Sequence, residues 1–142
     1  VELPKTPGTY ILFLSFEVPI ATQIGRLGTF TLNPGLYAYV GSAFGPGGLH
    51  ARLNRHLRHD KKTHWHIDYL TTSAPIVTLW LMASSERYEC QWAQQIASTP
   101  DITIPIPDFG SSDCGCSSHL FAVPSTATLK LDQPVVIFDQ FT

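Results

Sequence analysis

Cysteine is scarce in this chain, with three residues at positions 90, 114 and 116. An odd count cannot close a complete disulfide framework. It fits a reducing compartment, so a cytoplasmic protein is expected. No apolar run approaches the roughly 18 residues that a spanning helix needs, so no membrane partner is expected. The opening VELPKTPG has no charged segment followed by an apolar stretch, and no secretion signal is read there. Positive charge is short as well: nine Lys and Arg face eleven Asp and Glu, a net −2 at pH 7. That argues against a basic coat that binds nucleic acid nonspecifically, but leaves room for a local basic patch. Internal repeats and low-complexity tracts are absent.

What the chain does have is enough apolar content for a core, 44% of 142 residues, at a length that suits one domain. Residues 8–16 (GTYILFLSF) read as a strand buried on both faces. Residues 17–34 carry Pro19, Gly25, Gly28, Asn33 and Pro34 and read as a loop region with short strand-like pieces. Residues 36–42 read as the next strand, pairing antiparallel with the first. Tyr37, Tyr39 and Gly41 alternate onto one face and Leu36, Ala38 and Val40 onto the other. Leu49, Leu53 and Leu57 repeat at helical spacing and predict a helix over 49–58. A short helix is expected over 65–70, a buried strand over 76–82 and a helix over 86–97. The result is a small α/β domain with a mainly antiparallel three-stranded central sheet flanked by helices. Its core covers about residues 8–98. Residues 99–142 form an irregular C-terminal extension in which 119–123 and 134–138 could be short strands.

Charge is unevenly spread. Residues 36–66 hold Arg52, Arg55, Arg58, Lys61 and Lys62, and also His50, His56, His59, His64 and His66. On the helix, Arg52 and His56 are four apart and stack on one flank of the leucine stripe, toward the sheet edge. Arg55 and Arg58 lie further round, toward solvent, where they and Lys61 and Lys62 could meet a polyanion. The helix N-terminus follows a glycine-rich loop, and free backbone N–H groups there favour an anion. A solvated basic helix with satisfied histidines is the plainer alternative. Glu89 has Trp92, Ala93 and Ile96 at i+3, i+4 and i+7. It therefore sits in an apolar stripe, where a carboxylate is costly unless paired or metal-bound. The alternative is a first-turn Glu favoured by the helix dipole.

Tyr10 in Gly8-Thr9-Tyr10, Tyr39 in Tyr39-Val40-Gly41, Arg52, His56 and Glu89 follow one another in an order that resembles the GIY-YIG nuclease superfamily. The strings YVGSA, RLNRHLR, HWHIDYL and FGSSDCGCSSHL resemble an uncharacterised subfamily of it, found alone in bacteria and fused to endonuclease III-like domains in some archaea. Four departures stand out. Thr9 replaces an apolar residue, the connection between the tyrosine motifs is long, the loop after Tyr39-Val40-Gly41 carries a Phe-Gly-Pro-Gly-Gly insertion, and Ser42 stands where repair nucleases often carry Lys. The resemblance implies a metal-dependent endonuclease acting on DNA, with structure or strand selectivity and a link to repair as further expectations and RNA left open. It further implies that Glu89 holds Mg2+ or Mn2+, that Arg52 neutralises phosphate charge, and that Tyr10 or Tyr39 orients or deprotonates the attacking water. His56 would position Tyr10 or relay a proton. The products would carry a 5′-phosphate and a 3′-hydroxyl. The alternative function is a GIY-YIG-like nucleic-acid binding module with little hydrolysis, in which the basic helix alone acts.

Two further groups are visible. Cys114, Cys116 and His119 are ligand types that could recruit Cys90, or a histidine from His64-Trp-His66, around Zn2+. Against that, the spacing is not the usual Cys-x-x-Cys, and a buried thiol is more often an apolar filler. Asp113 and its neighbouring serines could instead turn the chain back toward the cleft. His64, His66 and Asp68 read as structural, for example through an Asp–His hydrogen bond that holds the basic helix. Phe44 and Trp65 are candidate stacking platforms for single strands.

Overall fold

The fold follows from two-residue periodicity in its central strand. A computed structural model describes residues 3–111 and 114–139. Strand β1 (Gly8–Phe16) buries both of its faces. Its even residues, Tyr10, Leu12 and Leu14, pack with Leu49, Leu53, Ile67 and Leu70. Its odd residues, Ile11 and Phe13, pack with Trp92, Ala93 and Ile96. Side chains on a strand alternate between faces, so one strand serves two apolar layers.

Further along the chain come β2 (Ile20–Ile24), β3 (Gly28–Leu32), β4 (Gly35–Ala43), helix α1 (Gly48–Leu57), short α2 (Asp68–Thr71), β5 (Ile76–Ala83), α3 (Glu89–Ala97), β6 (Leu120–Val123) and β7 (Val136–Phe138). Five strands form one antiparallel sheet in the order β6-β4-β1-β5-β7, and β2 and β3 form a separate hairpin. The architecture is mixed α/β, as expected, but the sheet is larger than three strands. The extra strands come from the C-terminal extension, at the two places read as possible short strands. There, β6 covers the open edge of β4 and β7 that of β5, so backbone groups at both edges gain partners. Among the described residues no helix is long and apolar enough to cross a membrane.

Boundaries shift where local chemistry overrides periodicity. Helix α1 starts and ends one residue earlier than its leucine pattern suggests, and Leu57 is only half-buried. Helix α3 starts at Glu89 rather than 86, so Glu89 is its first residue. Its position fits the first-turn alternative, where the helix dipole favours negative charge. Two glycines are dictated by close approach. Gly8 lies against the Met82 carbonyl and Leu49, and Gly41 lies directly against the Tyr10 ring and hydroxyl. A Cβ at either place would collide.

Candidate active-site cleft

Tyr10 from β1, Tyr39 from β4, Arg52 from α1 and Glu89 from α3 line one cleft of about 550 Å3. Register explains the two tyrosines. Tyr10 is paired with Gly41 and Leu12 with Tyr39, so the rings are diagonal neighbours on one face. Since Gly41 has no side chain, the Tyr10 phenol can cross over it. His56 is buried behind this wall, with its Nε2 2.7 Å from the Tyr10 hydroxyl.

The electrostatics of this group are dominated by burial. Burial pushes the Tyr10 hydroxyl far above its ordinary value of 10, with Arg52 opposing and Glu89 and Asp68 adding. Tyr39 rises for the same first reason, with Tyr10 and Glu89 adding and Arg52 opposing. Burial brings His56 down to about 3, helped by Lys61 and, less, by Arg52 and Arg55, while Asp68 opposes. At neutral pH the pair is therefore a phenol and a neutral imidazole. The phenol O–H can donate to Nε2, while Nδ1 has no partner among the described residues. Burial also raises Glu89, against the pull of Arg87, Arg52 and the Ser42 hydroxyl. Among the described residues it is the only carboxylate lining the cleft. A single carboxylate beside hydroxyls is a donor set that suits a hard cation keeping most of its waters.

Arg52 is held in place. Its Nη1 donates to the Ser42 carbonyl at 2.8 Å, and its guanidinium stacks 4.2 Å from the Trp65 ring centroid. Thr9, the departure in the first motif, accepts the Tyr88 backbone N–H at 3.3 Å and so ties the residue before Glu89 to the central strand. Sequence reasoning missed that role, although the buried hydroxyl in an otherwise apolar strand was the signal. It missed Arg87 too, which lines the cleft from just ahead of α3.

Several expectations are corrected. Arg55 does not face solvent as a free phosphate contact. Its guanidinium makes a bidentate pair with the fully buried Asp68, at 2.8 and 2.9 Å, and also donates to the Lys62 carbonyl. Lys61 is likewise engaged, its Nζ donating to the Arg55 and His56 carbonyls and capping the end of α1. Arg58 and Lys62 remain exposed. The N-terminus of α1 is no anion site, because the Leu49 and His50 N–H groups donate to the Thr6 and Pro4 carbonyls and that of Gly48 to Gly45. Trp65 and Phe44 are not open platforms. Arg52 and Arg55 stack on the first and Arg87 on the second. Asp68 is structural, as expected, but its partners are Arg55 and the His64 and Trp65 backbone N–H groups rather than a histidine ring.

Cys90, Cys114, Cys116 and His119 bring one ligand atom each within 4.8 Å of one another, a group that could hold a metal ion. Cys90 joins from the first turn of α3, whereas the rival recruits are used elsewhere. His66 Nδ1 accepts the Gly110 N–H at 2.8 Å, and the His64 ring packs edge-on against Trp65. Asp113 lies outside the described residues.

No curated protein and no solved structure matches the chain. A family model described as a domain of unknown function, DUF123, matches residues 9–137. The match covers most of the chain, including every residue of the cleft and of the Cys/His group, and the chain belongs to the DUF123 family.

Proposed function

We propose that this chain is a metal-dependent endonuclease that hydrolyses DNA phosphodiester bonds in the cleft. The observation that carries the reading is convergence. Tyr10, Tyr39, Arg52 and Glu89, spread over four elements, line the same space, and His56 holds one of the tyrosines. A scatter of structural polar residues gives no reason for that meeting.

In this reading Arg52 provides a fixed positive charge for the scissile phosphate. Its stacking on Trp65 and its bond to Ser42 mean that little reorganisation is needed at the moment of reaction. Glu89 would hold Mg2+ or Mn2+, which would supply Lewis acidity and lower the pKa of the attacking water. Cys90, Cys114 and His119 line the same cleft, but thiols are too soft for that ion and are not part of the step. Tyr10 and Tyr39 present hydroxyls that orient the attacking water. Both are pushed up by burial, so neither is a base unaided, and Arg52 is the resident cation opposing the rise. His56 fixes the Tyr10 rotamer through the 2.7 Å bond.

The test is a cleavage panel of labelled single-stranded, duplex and branched DNA, with RNA, each in Mg2+, Mn2+ and chelator. Wild type is expected to cut with either ion, and Glu89→Ala to bind without cutting. Arg52→Ala is expected to lose roughly a hundredfold to a thousandfold in rate, the scale for removing one transition-state charge contact. Binding without cleavage by wild type on every substrate would mark a nucleic-acid binding module instead and end the nuclease reading.

A further inference from the structure

The Cys/His group has no part in the proposed reaction, yet it is the densest set of ligand atoms among the described residues. We propose that Cys90, Cys114, Cys116 and His119 form a closed structural zinc site that clamps the segment leading into β6 onto the first turn of α3.

Geometry is the first argument. In a tetrahedral site with zinc–sulfur bonds of about 2.3 Å and a zinc–nitrogen bond of about 2.0 Å, neighbouring ligand atoms lie roughly 3.5–3.8 Å apart. Here His119 Nε2 is 3.4 Å from Cys114 Sγ, and all four ligand atoms fall within 4.8 Å of one another. The cysteines are free thiols. Four ligands around one point fill a tetrahedron and leave no open position, which is the pattern of a structural rather than a catalytic zinc. A two-iron cluster would divide its ligands between two irons and needs a wider set.

Ligand chemistry is the second. Three sulfurs and one imidazole are soft donors that select zinc over magnesium or manganese. His119 is almost fully buried, and its Nδ1 makes no hydrogen bond among the described residues. That nitrogen lies 3.5 Å from Glu89 Oε2. With Nε2 on the metal, Nδ1 carries the proton and points it at a carboxylate. This is the orienting arrangement that zinc-bound histidines usually have, and a small closure would complete it. The otherwise unexplained buried nitrogen is thereby accounted for.

Topology is the third. Cys90 directly follows Glu89 on α3, while Cys114, Cys116 and His119 precede β6. Without a metal these two parts are joined by the apolar packing of Cys90, Cys114 and Cys116 around Trp92 and Phe121 and by the approach of His119 to Glu89. With zinc, the chain on either side of Glu89 is fixed from two directions, by the ion at Cys90 and by Thr9 at Tyr88. The zinc therefore acts as a positioning device for the cleft carboxylate. The claim does not depend on the cleft being a nuclease.

The full chain, purified without a histidine tag or chelator from zinc-supplemented medium, is expected to hold one zinc per chain by elemental analysis. A thiol-modifying mercurial should release that zinc into a chromophoric chelator. Exchange with Co2+ should give the intense thiolate-to-metal absorption and visible bands of a tetrahedral sulfur-rich site. Cys116→Ser and Cys90→Ser should lower the zinc content or weaken its retention. If these variants do not fold, the mercurial and cobalt readouts on wild type stand alone. Glu89→Ala should keep the stoichiometry, which separates this site from any metal at the cleft carboxylate. With one zinc still bound, Glu89→Ala and, to a lesser degree, Glu89→Gln should lose it to the chelator more readily, by roughly tenfold to a hundredfold for the Ala variant, the usual scale for losing a histidine-orienting partner. Folded wild type with no zinc, a disulfide among the three cysteines, or zinc that disappears with Glu89 rather than with the cysteines would each overturn the proposal.

Discussion

Replacing Asp68 tests the claim that Arg55 belongs to the structure and not to a phosphate track. The Asp68 side chain is 0% exposed and that of Arg55 20%. Its carboxylate accepts from Arg55 Nη1 and Nη2 and from the backbone N–H groups of His64 and Trp65, all between 2.8 and 2.9 Å. Asp68→Ala removes every acceptor, leaving two N–H donors and a mostly buried guanidinium unpaired. Breaking such a pair from one side costs about 3–5 kcal/mol. Partial water access to Arg55 favours the lower end. Asp68→Asn keeps much of the shape and loses only the charge. Despite the cost of burial, the Arg55 and backbone hydrogen bonds bring the Asp68 carboxyl from 3.8 down to about 2. By linkage that drop corresponds to about 2 kcal/mol, less whatever screening reaches Arg55. A depressed folded pKa stabilises above the unfolded value and ceases to as pH falls through the folded one. The advantage of wild type over Asp68→Asn should therefore be full above pH 4 and fade between pH 4 and about 2. Urea unfolding followed by tryptophan fluorescence at several pH values measures it. A loss under 1 kcal/mol for Asp68→Ala, or a wild-type advantage over Asp68→Asn that does not change with pH, would refute the reasoning.

Three further outcomes follow from the same geometry. Gly41→Ala puts a methyl group against the Tyr10 ring and hydroxyl. It should cost about 1–3 kcal/mol in thermal or urea unfolding and displace the Tyr10–His56 pair, lowering any cleavage rate. Arg58→Ala and Lys62→Ala, at exposed positions, should leave stability unchanged within about 0.5 kcal/mol. Each should also reduce the salt dependence of DNA affinity by about one phosphate contact. Arg55→Ala should do the reverse, lowering stability with little change in the salt slope, as fluorescence-anisotropy titrations at several salt concentrations would show.

Much of the scaffold is legible in the sequence because it depends on short-range pattern. The apolar runs at 8–16 and 36–42 find the two paired strands, alternation puts Tyr37 and Tyr39 on one face of the second, and the leucine repeat finds α1. The failures are long-range or competitive. Residues 119–123 and 134–138 read as possible short strands and do form β6 and β7, but nothing local says that they join the central sheet by meeting the free edges of β4 and β5. Helical geometry puts Arg55 toward solvent, but a buried carboxylate thirteen residues on outcompetes water for it. A glycine-rich loop before a helix suggests an anion site only until another segment supplies the acceptors. Here Pro4 and Thr6 do so.

By itself the sequence determines the chemistry available: two tyrosines, an arginine, a histidine and a glutamate in a fixed order, and three cysteines with one later histidine. It also determines the periodicities that build a sheet with an apolar layer on each side. Only the tertiary structure decides which of these groups meet. Tyr10 reaches His56 across 46 positions, and Thr9 holds the chain before Glu89 across 79. Residue spacing carries no information about contacts at that range, because they are set by strand register and by how the helices close on the sheet. The same closure turns Arg55 and Lys61 inward, leaves Arg58 and Lys62 exposed, and gathers Cys90 with a group that starts 24 residues later.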